Sequence, residues 1–378
     1  MRIKYCDLIA TSAIHTEFNI AFLKVIMLAL ENHAGVDFYA EKEHCAICKE
    51  RMKFHQIKFH PLKLLHKNIW GGIKTPIRDI LSCWYVLKIF LCSKKEDFLF
   101  FALAYPFAQY VIWILSNVFQ RRVYVCQHGE LDVFMENIHF DRNRRYYSLV
   151  KHLLKKSNVQ YIILGEPILK NVHHLFADTS KLIVIDHPYD FEDNDHIMVS
   201  NFNPLVIGQI GSGSKSKGTH YLFELATLLK EEIESGKLKI KLVGKLSNTL
   251  WHLDNKLVEY GTEILEPSIF EEEIKKLAFS LQLRDSSMGK AVASGTFFDT
   301  LKHEKPFLSL NSDYINYYVD AFPKCGKVCD SISDMAKEIK KLLQNKFIDE
   351  YPDMVNAIKH LQSKLSLASI ASELKKQL

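Results

Sequence analysis

The stretch VIGQIGSGSKSKGTHYLFELATLL, residues 206–229, decides how the rest of the chain is read. A short apolar run of strand character enters a small, basic, glycine-rich turn, which leads into apolar residues at helical spacing. Gly211, Gly213 and Gly218 let the backbone approach a ligand closely or take dihedrals closed to other residues. The free N–H groups at the start of the following helix favour an anion, and Lys215 and Lys217 add positive charge there. The Walker pattern requires Gly-Lys-Ser/Thr, but Gly218 is followed by Thr219 and His220. The dinucleotide pattern G-x-G-x-x-G lacks its third glycine, because Lys215 and Ser216 follow Ser214. The turn is thus a phosphate-loop candidate of neither kind, or an ordinary strand-to-helix turn with solvated lysines.

The strand, turn and helix order recurs on both sides of this stretch. Strand runs are expected at 3–10, 36–40, 54–59, 98–104, 123–127, 161–164 and 182–185, with helical patterns at 17–31, 75–92, 105–119 and 143–156. After the polar, proline-bounded segment 186–204, strands are expected at 205–210, 239–243, 257–260, 280–283, 307–310 and 327–329. This alternation predicts an α/β protein of two doubly wound, Rossmann-like domains. Their expected limits are 1–190, a linker at 191–203, a second domain at 204–345 and a helical tail at 346–378 packing back toward the first. Ligands of open α/β sheets bind at the carboxyl ends of the strands, so a cleft shared by the two domains is the expected site.

At 378 residues, with 48% hydrophobic residues and a net charge of +5, the chain is an ordinary globular one of two-domain size that favours anionic small molecules or an anionic membrane surface; it carries no nucleic-acid-binding signature. The N-terminus, MRIKYCDLIA, has no apolar leader and points to the cytoplasm. Eight cysteines lie scattered without a framework, as reduced thiols do. His44, Cys45 and Cys48 make half a zinc motif with no second half at the required spacing, and no metal site is expected. Residues 98–119, FLFFALAYPFAQYVIWILSNVF, have the length of a membrane span, but Pro106, Gln109 and Asn117 divide them into a strand and an amphipathic helix.

The densest chemistry lies in LRDSSMGKAVASGTFFDTLKHEKPFLSL, residues 283–310. Ser294, Gly295 and Thr296 offer amides and hydroxyls at a helix start, a cradle for a diphosphate, and Asp299 one turn on suits a ribose diol. The bland alternative is a capping serine and a solvated carboxylate. The order strand, GSGSKSKG, helix, KIKLVG and then ASGTFFDTLKHEKPFL resembles the donor-binding domain of GT-B glycosyltransferases that build bacterial surface polysaccharides. The resemblance covers residues 204–330 in motif and the whole chain in length and domain order. It implies a donor site of Gly211, Ser212, Lys215, Lys217, Arg284, Ser294, Gly295, Thr296 and Asp299. Many retaining members carry two glutamates eight positions apart; here those positions hold Ala291 and Asp299, which leaves the stereochemical outcome open.

In similar enzymes the N-terminal domain binds the acceptor and supplies a base. VYVCQHGELDVF, residues 123–134, places His128, Glu130 and Asp132 after a strand, and Glu130 is favoured for lying nearer the strand end than Asp132. His15 and Glu17, after the first strand, are candidates on the acceptor side. KERMKFHQIKFHPLKLLHK, residues 49–67, is either a basic, apolar surface for anionic lipid or an edge strand with a solvated side. The implied function is transfer of a sugar from a nucleotide-diphosphate sugar to a glycan or lipid-linked acceptor, without metal or other cofactor, in the cytoplasm or at the inner membrane face. The sequence EDND at 192–195 sits in the expected linker, so helix N-termini with Lys215, Lys217, Arg284 and Lys290 take the place of a metal. A sugar-nucleotide epimerase and a non-catalytic nucleotide-sugar binding subunit are the alternatives.

Overall fold

The computed structural model describes residues 1–31, 35–52, 56–65, 74–134, 148, 150–155, 159–191, 202–344 and 347–378. Among them the chain forms two compact units, each built on its own parallel sheet. The first unit comprises Met1–Asp190, Ala291–Ala293 and Leu365–Leu378. Its described strands are β1 (Arg2–Asp7), β2 (Gly35–Glu41), β3 (Ile57–Leu62), β4 (Phe98–Leu103), β5 (Arg122–Gln127), β6 (Gln160–Leu164) and β7 (Leu182–Ile185), in the order β3-β2-β1-β4-β5-β6-β7. All pairings are parallel. The order reverses between β1 and β4, the switch point of a doubly wound sheet.

Local chemistry sets where these elements begin and end. All six residues of β4, FLFFAL, are buried, as a central parallel strand with both faces covered requires. Pro106 then occupies the first turn of α4, so residues 98–119 divide into a strand and a surface helix. No described helix is long and apolar enough to cross a membrane. The expected strand 3–10 stops at Asp7, whose Oδ1 accepts the N–H groups of Ile9 (2.9 Å) and Ala10 (2.7 Å) and turns the chain out of the sheet. The first unit's described helices are α1 (Thr16–Ala29), α2 (Lys42–Arg51), α3 (Lys74–Leu91), α4 (Pro106–Phe119) and α5 (Glu166–Val172).

Helix α2 is a correction. The half zinc motif at 44–48 and the start of the basic segment at 49 lie on one helix, KEHCAICKER, whose charged surface hides any apolar period. The Glu41 side chain caps it by accepting the N–H groups of Glu43 and His44. Inside, the His44 and Cys48 side chains join Asp7 and Asn19 in a buried network. Asn19 Nδ2 donates to Asp7 Oδ2 (2.7 Å) and lies 2.9 Å from His44 Nε2, which also meets Cys48 Sγ at 3.4 Å. Cys45 turns elsewhere, to the Ala40 carbonyl. Burial pushes the Cys48 thiol up to about 12. The expected helix 143–156 falls largely outside the described residues, as do 192–201 of the linker, 53–55 of an expected strand, and 66–67 of the basic segment.

The sheet edge carries a second polar cluster. Asp37 on β2 receives Arg2 Nε (2.7 Å), Lys4 Nζ (2.7 Å) and His60 Nε2 (2.9 Å). Burial alone would raise its pKa, but the hydrogen bonds from Arg2, Lys4 and His60 outweigh burial and hold the carboxyl well below the usual range.

The second unit comprises Phe191–Lys290 and Ser294–Lys364. Its described strands β8 (Leu205–Ile210), β9 (Leu238–Lys245), β10 (Val258–Gly261), β11 (Phe279–Gln282), β12 (Phe307–Leu310) and β13 (Gly326–Cys329) run in the order β10-β9-β8-β11-β12-β13, again parallel, with the switch between β8 and β11. Helices α6 (Thr219–Leu228), α7 (Lys230–Glu234), α8 (Pro267–Lys275), α9 (Gly295–Lys302), α10 (Asp313–Ala321), α11 (Ile332–Leu343) and α12 (Tyr351–Lys364) accompany it. Leu222, Leu225, Ile240, Leu281, Met335 and Ile339 form its apolar centre.

The tail divides between the units. Helix α12 clusters with the second unit, where Tyr351 Oη donates to the Ala278 carbonyl (2.8 Å) and Gln362 Nε2 to that of Leu301 (2.6 Å). The final helix, Leu367–Gln377, clusters with the first unit and packs on α1 and β7. There the Gln377 side chain both accepts from Val184 N and donates to Val184 O, at 2.9 Å each, and so pairs with the edge strand as a neighbouring strand would.

Replacing Asp37 leaves the buried Lys4 ammonium without its carboxylate. Asp37→Ala is expected to destabilise the first unit by about 3 kcal/mol, read as a lowered urea midpoint of that unit's transition.

Candidate functional site

In the second unit, the turn after β8 lies at the switch point. Gly211 N donates to Val243 O and Gly213 N to Lys245 O, both at 2.8 Å, so the turn stays bound to β9 as it leaves the sheet. A 3-10 turn, Lys215–Lys217, follows, and Gly218 (φ +71°) opens α6. Ser214 N donates to Thr219 Oγ1 (2.9 Å), and Gln209 Nε2 to Lys217 O (2.8 Å). Ser212 and Lys215 are exposed, whereas Lys217 is partly buried.

Two close approaches bring this turn to the other candidate residues. A Cβ on Gly218 would fall 1.9 Å from the Leu283 carbonyl oxygen, so the turn lies directly against the end of β11, where Arg284 follows. A Cβ on Gly211 (φ +89°) would fall 2.7 Å from Thr296 Cγ2 and 3.6 Å from Lys217 Nζ, which brings the turn to the start of α9. The sequence motifs around 211–218 and 294–299 therefore belong to one place in the unit. Arg284 folds over Gly289 (φ +66°), and Lys290 is exposed at the end of this loop.

The start of α9 is open. Ser294 sits at its N-cap position, but its hydroxyl makes no capping bond and lies instead 3.2 Å from Thr296 Oγ1, so it is not the capping serine of the bland alternative. A Cβ on Gly295 would meet nothing within 4 Å, which leaves space in front of the first N–H groups. Asp299 is half-buried one turn further on. The Lys217 ammonium is pushed below its ordinary pKa by burial and then by Arg284, with Asp299 acting in the opposite direction. Two cations and one carboxylate thus share a partly desolvated space at a helix N-terminus. Tyr221 Oη donates to Asp285 Oδ2 (2.8 Å) and ties the Arg284 loop to α6.

In the first unit, β5 ends at Gln127, and a 3-10 turn, Glu130–Phe134, follows His128 and Gly129. Glu130 is buried. Asp132 Oδ1 accepts the Ala291 N–H (2.9 Å), and a Cβ on Gly129 would meet Val292 Cγ2 at 3.3 Å, so the short segment 291–293 is seated on this turn. His128 Nε2 lies 3.3 Å from His187 Nε2, and its ring packs against His15 (4.8 Å) and Phe18 (4.4 Å between centroids). His15 takes a left-handed conformation (φ 59°) at the start of α1. The structure thus brings His15 and His128 together. It turns Glu17 away into a bidentate ion pair with Arg51. Sequence reasoning missed His187, which sits in HPYD (187–190), a stretch assigned to the linker edge.

Among the described residues, no group of three or more His, Cys, Asp or Glu side chains is disposed to hold a metal ion. His187 is buried, and desolvation followed by the neighbouring His15 pushes its pKa down to about 3. The unfolded chain, with a histidine pKa of about 6.5, therefore takes up the proton first. This contribution to stability is complete above about pH 6.5 and is lost as the pH falls toward 3. Melting temperatures at pH 7 and 5 should show a smaller drop in His187→Phe than in the parent protein. A second comparison tests the contact between the turn and β11. Gly218→Ala, which drives a Cβ into backbone, is expected to destabilise by about 3 kcal/mol or more, while Gly236→Ala, at similar φ with nothing within 4 Å, loses about 1–2 kcal/mol. Equal losses in denaturant unfolding would refute that contact.

No protein-family model matches the sequence, and no curated protein matches it. Solved structures do. The Anabaena protein HepE, in a complex with UDP-glucose, superposes with a TM-score of 0.70 at 14% identity, over 100% of this chain and 98% of that one. Sucrose-phosphate synthase from Thermosynechococcus elongatus gives 0.70 at 10% identity, over 100% and 98%. WaaG, a glycosyltransferase involved in lipopolysaccharide biosynthesis, gives 0.65 at 12% identity, over 99% and 98%. Two parallel sheets of seven and six described strands, each doubly wound, together with these matches over the whole chain, give the protein the two-domain, Rossmann-like GT-B fold.

Proposed function

We propose that the protein is a glycosyltransferase that moves a sugar from a nucleotide-diphosphate sugar to a hydroxyl of a glycan or lipid-linked acceptor in surface polysaccharide synthesis. The observation that carries this reading is the meeting of Lys217, Arg284 and Asp299 beside Gly211 and the open N-terminus of α9. A diphosphate there would neutralise two crowded cations and accept the helix's free N–H groups, and the Asp299 carboxylate would accept the ribose hydroxyls. Structures of similar fold support the same class: HepE forms complexes with UDP and with UDP-glucose, and WaaG is a glycosyltransferase involved in lipopolysaccharide biosynthesis.

The reaction breaks the bond between the anomeric carbon and the diphosphate oxygen and forms one to the acceptor oxygen. Charge develops on the departing diphosphate, where Lys217, Arg284 and the α9 N-terminus stabilise it without a metal. The acceptor's proton passes to Glu130 or His128. Asp132 is less suited to that task, since its carboxylate is already bound to the Ala291 N–H.

Thermal shift against nucleoside diphosphates, with and without EDTA, tests the donor site. UDP is the first choice on the HepE likeness. A bound diphosphate at about 100 times its Kd adds about 2.7 kcal/mol and raises the melting temperature. The shift is expected to survive EDTA and to fall in Lys217→Ala and Asp299→Ala. Glu130→Gln and His128→Asn, made separately, are expected to keep the shift, and replacing whichever group is the base should lower transfer by about 100-fold or more. No shift with any diphosphate would overturn the reading.

A further inference from the structure

We propose that His187 is a positioning residue for the transfer reaction: it accepts a hydrogen bond from the Nε2–H of His128 and so leaves His128 Nδ1 as the atom that takes the acceptor's proton. This role rests on the transfer reading and, of its two candidate bases, selects His128. Glu130 is buried, whereas His128 is half-exposed, as a group that meets an acceptor hydroxyl must be. Three neighbours hold the His128 ring. Its Nε2 lies 3.3 Å from His187 Nε2, Phe18 packs against it at 4.4 Å between centroids, and His15 meets it edge-on at 4.8 Å. Phe18 also packs against His187, at 5.1 Å, so one buried ring backs both histidines. The segment that carries His187 is tied to the same helix, because Lys24 on α1 is ion-paired with Asp190. Neither ring can turn without breaking a contact from another element.

One proton lies between the two facing nitrogens, so one ring donates and the other accepts. His187 is 5% exposed, and burial keeps it neutral, with its pKa down at about 3. Backbone hydrogen bonds at His187 and Pro188 favour a proton on its ring, and with Nε2 turned to His128 that proton belongs on Nδ1. His187 Nε2 is then the acceptor and His128 Nε2–H the donor. As the acceptor oxygen bonds to the anomeric carbon, its proton passes to His128 Nδ1, and the electron pair of the broken C–O bond leaves with the diphosphate. The imidazolium so formed carries N–H on both nitrogens. Its Nε2–H still finds an acceptor in His187, which burial prevents from competing for the proton.

The test reads the rings directly, by nuclear magnetic resonance of the full chain isotopically labelled in its histidine ring nitrogens. His187, identified by the signals lost in His187→Gln, is expected to be protonated on Nδ1, the minor form of free neutral histidine. Hydrolysis of UDP-glucose, with water as the acceptor, gives a second readout. His187→Phe should lower kcat about tenfold or more while the donor KM changes less than about twofold, because the donor candidates lie in the other unit. His187→Gln, whose Oε1 falls near the place of Nε2, should recover most of that loss. A role in folding alone would neither divide kcat from KM nor be rescued in this way. His187 protonated on Nε2, or a kcat in His187→Phe equal to that of the parent protein, would each overturn the role, and the ring signals decide even where hydrolysis is too slow to follow. A nucleotide shift retained beside either result spares the transfer reading, whereas no shift with any diphosphate overturns both.

Discussion

The candidate site depends on the contact of Gly218 with the Leu283 carbonyl. Any side chain at 218 would enter backbone, so the turn after β8 reaches the end of β11 only because that position is glycine. The residues flanking the contact are the consequential ones: Lys217 precedes Gly218 and Arg284 follows Leu283. One backbone approach therefore brings together the chain positions that carry two cations, close enough for Arg284 to lower the Lys217 pKa, and Gly211 against Thr296 then adds the helix start and Asp299. Burial is the main cause of the depressed Lys217 pKa, and the like charge of Arg284 adds a repulsion between the two cations. An anion that fits between them relieves it, so the same crowding that is unfavourable in the free protein favours a ligand of opposite charge.

Much of the fold was legible because both sheets are parallel and buried. Strands such as FLFFAL and QYIIL are short apolar runs separated by turn residues, and burial rather than alternation marks them. The strand ends were less legible where a side chain intervenes: Asp7 closes β1 three residues before the apolar run ends, which only its bonds to Ile9 and Ala10 explain. Helix α2 was missed for the opposite reason, since its inward residues are His44, Cys45 and Cys48, none of them a marker of apolar periodicity.

The site divides along similar lines. The glycines and the Ser-Gly-Thr helix start announce themselves locally, because each needs a backbone conformation or a free amide within a few residues. His187 has no such local signal. Its role rests on meeting His128, 59 positions earlier, across the ends of β5 and β7, and only the strand order β5-β6-β7 brings those ends near each other.

The assignment of Leu365–Leu378 to the first unit bears on how the chain is made. The described strands of the first sheet are all made by residue 185, yet the helix that covers α1 and extends the edge of β7 through Gln377 follows the second unit in sequence. During synthesis the first unit has its described strands long before it has this helix, and the β7 edge at Val184 waits for Gln377 to be made. The unit that begins folding first is therefore closed only after the second has been made, and its oldest part stays open until residues 367–377 arrive.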